Sequence, residues 1–282
     1  MKKCFIYILA SILAVVLSIE YGLCDQNSQI VEQVGNGNIN WSKGILQAKG
    51  IGVPPDKYFG KPNASPLALR AAKMDALRNL LEVTKGVQIT SQTTVIDYAV
   101  EKDTIVSEIN GVVRGAQIVS QKYLPNGTVE IIMQMSLYGN FSQLVLPFTS
   151  VNPSHDIFPK KQLEQNKSSR LFTGLVINAK GLNAKPAMSP KILDENGREV
   201  YGSAYVSRQY AIQQGMSGYA KTISSAVANS RVTDNPFQVK GIKTTGHGRS
   251  DIVISNADAE KLRSVSEQLS FLKKCRVMIV VD

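Results

Sequence analysis

Histidine occurs only at positions 155 and 247 and cysteine only at 4, 24 and 275, so the side chains that most often do nucleophilic, acid–base or zinc chemistry are scarce. His247 stands in Gly246-His247-Gly248-Arg249-Ser250-Asp251, where a base, a hydroxyl and a carboxylate fall close together. A Ser-His-Asp triad is a constellation in space, and hydrolase nucleophiles sit on a defined turn such as G-x-S-x-G, which this chain lacks. A loop role is expected for His247, and a solvated loop for His155 in its polar, proline-bearing stretch. Two separated histidines and one cysteine beyond the leader cannot close a zinc site. Asp194-Glu195-Asn196-Gly197 opens like a calcium loop, but the twelfth position holds Tyr205 where a glutamate is needed, so a hairpin turn is expected. Gly35-Asn36-Gly37 has neither the lysine nor the following helix of a phosphate loop. Carboxylates that meet only in space stay open, which leaves a carboxylate-dependent hydrolase as the minor alternative to a non-catalytic role. The sequence assigns no catalytic residue, no metal ligand and no cofactor.

Binding is the better-supported chemistry. The net charge is +10, and it is +9 once Lys2, Lys3 and Glu20 leave with the leader. Such a surface attracts polyanions, anionic lipid or acidic partners. Its lysines and arginines are scattered, however, with Lys160-Lys161 and Lys273-Lys274 the densest clusters. Aromatic residues make up 7% of the chain, too few for a nucleic-acid stacking platform. Tyr205 and Tyr210, between glycine-bearing segments, and Met74 and Leu81, on the polar side of an amphipathic helix, form the candidate interaction surface. Their expected partners are envelope proteins or a second copy, with anionic lipid, peptidoglycan or lipopolysaccharide as the alternative.

The hydrophobic content of 43% supplies a core, so these groups belong to folded elements. Residues 1–24 read as a secretory signal peptide: Lys2 and Lys3, then an uncharged run from Cys4 to Ile19 that is short for a membrane span. Cleavage before Asp25 is the expected outcome. Lipidation of Cys24 and an uncleaved anchor are the alternatives, although Tyr21-Gly22-Leu23 reverses the usual order of a lipoprotein box. Residues 25–42, rich in Gly and Asn, read as a flexible tether, and residues 148–169 as a linker. They bracket a first domain, 43–147, and precede a second, 170–282.

The first domain reads as a helix laid on an antiparallel sheet. Ser65-Pro66 starts the helix, Gly86 ends it, and Leu69, Ala72, Ala76, Leu80 and Val83 form its buried stripe. Asp75, Arg78 and Glu82 stand at ion-pairing spacings on the other side. A short helix is expected near 98–110, and Pro125-Asn126-Gly127 turns a hairpin whose return strand alternates from Val129 to Leu137. The second domain predicts strands at 172–179, 238–244, 251–255 and 275–281, with an interrupted helix over 207–229. Its strand–helix–strand end favours a parallel pair with a right-handed crossover. The fold class is α+β, with an α/β-type second domain.

The first domain also resembles the Lpp-twenty-like lipoprotein family, whose module recurs at the front of flagellar assembly protein T. The likeness lies in Trp41, in Gly44-Ile45-Leu46-Gln47-Ala48-Lys49-Gly50-Ile51-Gly52, and in the Ala-rich helix from Arg70 to Leu80. It continues in Gly86-Val87, Gly111-Val112-Val113-Arg114-Gly115-Ala116 and the strand Val129 to Leu137. The resemblance implies an envelope or outer-membrane-associated component, with assembly around a flagellar base as one context. It brings no catalytic residues.

Overall fold

Alternating apolar residues build the first sheet. The computed structural model describes residues 29–101, 103–147, 172–264 and 270–282. Strands β3 (Ile45–Gly52) and β5 (Val129–Ser136) bury every second side chain, as expected of strands with one face on a core. With β1 (Val31–Val34), β2 (Gly37–Asn40) and β4 (Gln117–Tyr123) they form an antiparallel sheet in the order β1-β2-β3-β5-β4. The tether expected over 25–42 is therefore corrected from residue 29 onward. Gly35, at φ +54°, turns β1 into β2 through a two-residue loop, and Ile39 and Trp41 are buried. Glycine and asparagine serve turn geometry there, not flexibility. The β4–β5 hairpin forms where the sequence places it. Only Gly127 takes a positive φ, because Leu124-Pro125-Asn126-Gly127 closes by the Gly127 N–H to Leu124 carbonyl bond.

Helix α1 (Ala64–Lys85) lies across this sheet and buries Ala68, Ala72, Ala76, Leu80 and Val83. Leu69 is only half-buried. The helix starts one residue earlier than Ser65, with Asn63 as N-cap, and Pro66 occupies a first-turn position whose N–H has no helical partner in any case. The alanines are small because β3 comes close. A Cβ on Gly50 or Gly52 would fall well inside 3.0 Å of helix backbone atoms. Helix α1 also completes β3, whose last residues run beyond β2. The Ile51 N–H donates to Asp75 Oδ2 (3.0 Å) and the Lys49 carbonyl accepts from Asn79 Nδ2 (2.8 Å). Asp75 is thus a strand partner, while Glu82 pairs with Lys85 (2.7 Å). Two helices, α2 (Val95–Glu101) and α3 (Asp103–Arg114), replace the single one expected near 98–110. Thr94 caps α2 through Asp97, whose carboxyl is held below its ordinary pKa by the Thr94 hydroxyl and N–H. A short α4 (Asn140–Val145) closes the half.

The second sheet holds β6 (Gly174–Asn178), β7 (Ile192–Leu193), β8 (Glu199–Tyr201), β9 (Gly218–Ala220), β10 (Pro236–Thr245), β11 (Asp251–Ile254) and β12 (Val277–Val280). Their order is β8-β7-β11-β10-β6-β12-β9. Strands β10, β6, β12 and β9 are mutually parallel, and β6, β11 and β12 are apolar on both faces, as a doubly covered sheet requires. The interrupted helix expected over 207–229 resolves into α5 (Arg208–Gln214), strand β9 and α6 (Ile223–Val227). The final strand–helix–strand also needs correction. Strand β11 pairs antiparallel with β10, since the short 246–250 connection permits only a hairpin. Strands β10 and β6 stand between β11 and β12, so the two are not neighbours. Helix α7 (Asn256–Ser264) between them starts as read: Ser255 Oγ accepts the Asp258 N–H (3.0 Å) and donates to its carboxylate (2.8 Å). A short α8 (Ser270–Lys273) leads into β12.

The two halves share one core that runs from Ile39 and Leu137 to Leu175 and Tyr219. Trp41 meets Tyr219 edge-to-face at 5.9 Å. Backbone bonds cross the seam from Gly139 N–H to the Ile212 carbonyl (2.7 Å) and from Ser189 N–H to the Ile89 carbonyl (2.7 Å). The 148–169 linker lies outside the described residues.

Candidate functional site

The cluster around His247 is a structural seam. His247 is exposed on the loop between β10 and β11, while Ser250 and Asp251 are buried. The Asp251 carboxylate accepts from the Ser91 hydroxyl and from the Lys191 N–H (2.9 Å), and the Gly248 N–H donates to the Ser91 carbonyl (2.7 Å). The loop fastens the second half to the Thr90–Thr93 turn of the first. Asp194, first residue of the calcium-like stretch, turns inward. It accepts the N–H groups of Asn196 (3.0 Å) and Arg198 (2.9 Å) and the guanidiniums of Arg198 (2.8 Å) and Arg263 (3.0 Å). Burial pushes its carboxyl up, but the Arg198 N–H and the two guanidiniums outweigh this and hold it below the ordinary carboxylate range. Among the described residues no group of three or more His, Cys, Asp or Glu is placed to hold a metal. His155 and Cys24 lie outside the described residues.

Cys275 is buried, and desolvation raises its thiol to about 11, so the thiolate is suppressed at neutral pH. Beside it Arg231 gathers three carbonyls: its Nη1 donates to Cys275 (2.8 Å) and Gly215 (3.1 Å), and its Nη2 to Gln214. The Tyr219 hydroxyl donates to the Ala187 carbonyl (2.8 Å) and accepts its N–H (2.9 Å), and burial pushes it up to about 12. These groups tie loops together.

The four expected surface residues separate. Tyr205 is half-buried and donates to the Glu199 carbonyl (3.1 Å), so it serves its own fold. Tyr210 lies at 37% exposure on α5. Met74 is open to solvent at 61%. Leu81 lies in the wall of an apolar cleft of about 450 Å³ between the end of α1 and the α2–α3 pair. Helix α3 buries Ile105, Ile109 and Val113 and turns Val106 outward. Val106 joins Ile96 and Val100 on the rim, and Val100 is 80% exposed.

A second feature crosses the face of the first sheet away from α1. Cross-strand register sets Gln33 opposite Asn38, Asn38 opposite Gln47, Gln47 opposite Gln134 and Gln134 opposite Gln117. Directly opposed residues share a face, so five carboxamides form one row across all five strands. Gln47 Nε2 donates to Gln134 Oε1 (2.8 Å). At the Gln134–Gln117 end the row enters a cleft of about 420 Å³ walled by the end of α3, Ser136 and Asn140, with Ile45 and Phe141 among its apolar residues. Among the described residues no charged side chain lines it. Sequence reading missed this row because its members come from five strands that only the register brings together.

Residues 174–282 match the family model of the second domain of Treponema pallidum Tp0624. The match opens on the first residue of β6 and takes in all seven strands of the second sheet. The Tp0624-like half therefore holds Asp194, Arg231 and Cys275, whereas the apolar cleft and the carboxamide row lie in the half before it. No curated protein matches the chain.

Proposed function

We propose that this chain is a non-catalytic, exported cell-envelope protein that works by assembly, as a periplasmic or outer-membrane-associated scaffold with flagellar assembly as its candidate setting. The observation that carries the reading is the apolar cleft beside α1. Exposed aliphatic residues gathered on one rim mark surfaces that another protein covers. The sheet edge is the weaker candidate: β4 carries a bulge between Ile118 and Ser120 and presents Lys122, devices that discourage strand addition. The leader over residues 1–24 supports export, and the Lpp-twenty-like resemblance of the first half supports an envelope setting. Among the described residues no helix is long and apolar enough to cross a membrane; lipidation at Cys24, an uncleaved leader and peripheral attachment are the candidate means of anchoring.

The test is light scattering and envelope pull-down on the exported protein beside Val100→Asp with Val106→Asp. Self-association or capture of a defined envelope protein, lost in the double variant, is the expected result. A wild type that stays monomeric and retains no envelope protein refutes the reading. Fractionation of Cys24→Ser with fatty-acid labelling decides the anchoring.

A further inference from the structure

We infer that the carboxamide row and the cleft it enters bind a neutral, N-acetylated polysaccharide strand. This goes beyond the assembly reading and uses a different surface. Each carboxamide carries two donors and one acceptor oxygen, which suits sugar hydroxyls and, still better, the amide of an acetamido group. Neighbouring strands are spaced by about 4.8 Å, so the row offers a regular ladder of polar groups suited to a repeating polymer laid across the sheet. At the end of the row, Gln134 gives its oxygen to Gln47, which leaves its NH₂ available to a ligand in the cleft. Ser136 and Asn140 add further polar groups there, while Ile45 and Phe141 supply apolar surface for the C–H face of a sugar ring.

Charge decides between the candidate ligands. The chain as a whole carries +10, yet among the described residues no lysine, arginine or carboxylate lines this cleft. A site for phosphate or an anionic glycan would place its cations at the ligand. On the same face Lys49 and Glu130 neutralise each other in an ion pair at 2.8 Å, and Lys122, opposite Glu130, lies toward the end of β4 away from Gln117 and the cleft. An uncharged, hydroxyl- and acetamide-rich polymer is the chemistry that fits.

Calorimetric titration of the full-length, exported protein with an N-acetylglucosamine oligomer, at low and at high salt, tests the proposal. Saturable binding that is insensitive to salt is expected, because a neutral ligand releases no screened charge interaction. Gln47→Ala with Gln134→Ala should weaken it about tenfold, the loss of two neutral hydrogen bonds. Val100→Asp, on the other cleft, should leave it unchanged, so failure of the assembly reading and failure of this one are told apart. Absence of saturation, equal binding by the double variant, or binding of heparin alone with steep salt dependence overturns the proposal. Hydrogen exchange on the wild type guards against a variant that fails to fold: the oligomer should protect β3 and β5, and protection confined to other elements also overturns it.

Discussion

Replacing Gly52 by alanine adds a single methyl group, yet the structure makes it one of the costliest small changes in the chain. The new Cβ would meet the Ala68 carbonyl oxygen and the Ala72 nitrogen, and at Gly50 it would meet the Ala72 oxygen and the Ala76 nitrogen, all well inside 3.0 Å. These are backbone atoms of a 22-residue helix, so no side chain can rotate away. Relief requires α1 to retreat from β3, and a gap of about 1 Å already forfeits up to half of the dispersion energy across a contact. Added to ordinary overpacking, this brings the expected cost to about 3 kcal/mol. For a chain of this size that lowers Tm by about 6–12 °C. Gly111→Ala is the matched control. Gly111 lies within α3 with no heavy atom near its would-be Cβ, so alanine should raise stability by up to about 1 kcal/mol through helix propensity. Scanning calorimetry on both variants reads opposite signs if the helix truly rests on bare strand backbone. A Gly52→Ala protein that melts within a degree or two of wild type refutes the close approach.

Asp75→Ala removes the acceptor of the Ile51 N–H, and urea unfolding should show a loss of about 1–2 kcal/mol, partly spared in Asp75→Asn. Asp194→Ala should cost about 2 kcal/mol by calorimetry through its bonds to Arg198 and Arg263. Because the Asp194 pKa is depressed in the fold, that contribution is present above pH about 4 and disappears as pH falls through the lowered value, so the variant should lose this part of the acid limb. Cys275 and Tyr219 are raised, to about 11 and about 12, so their neutral forms stabilise the fold below their free-state values, and the benefit is lost as pH rises through the folded ones. In a Cys24→Ser background, Cys275 should resist a thiol reagent at pH 8 until guanidinium is added, and rapid native labelling would contradict its burial.

The elements that sequence alone made legible are those with short-range signatures. The α1 stripe repeats every three to four residues, Pro125-Asn126-Gly127 names its own turn, and Ser255 with Asp258 caps α7 as read. Misreadings arose where one residue type serves two purposes. Gly35 and Asn36 looked like tether composition but form a hairpin loop, and Gly218 looked like a helix interruption but opens strand β9. Strand neighbours were the least accessible, since nothing local says that β12 belongs between β6 and β9. The carboxamide row depends on such pairings; Gln47 and Gln134 are 87 residues apart. Leu81 was singled out from its position on the helix, and it does line a cleft, but its company of Ile96, Val100 and Val106 comes from helices whose placement only the packing reveals.

Strand β12 follows the other strands of its sheet in sequence, yet it occupies an interior slot and, among the described residues, is the strand that connects β9 to the rest. The second sheet therefore cannot be completed before residues 277–280 have been made. A chain ending before residue 277 would strand β9 with no hydrogen-bonding neighbour and leave β6 with a bare flank, an early quality check imposed by the order of synthesis.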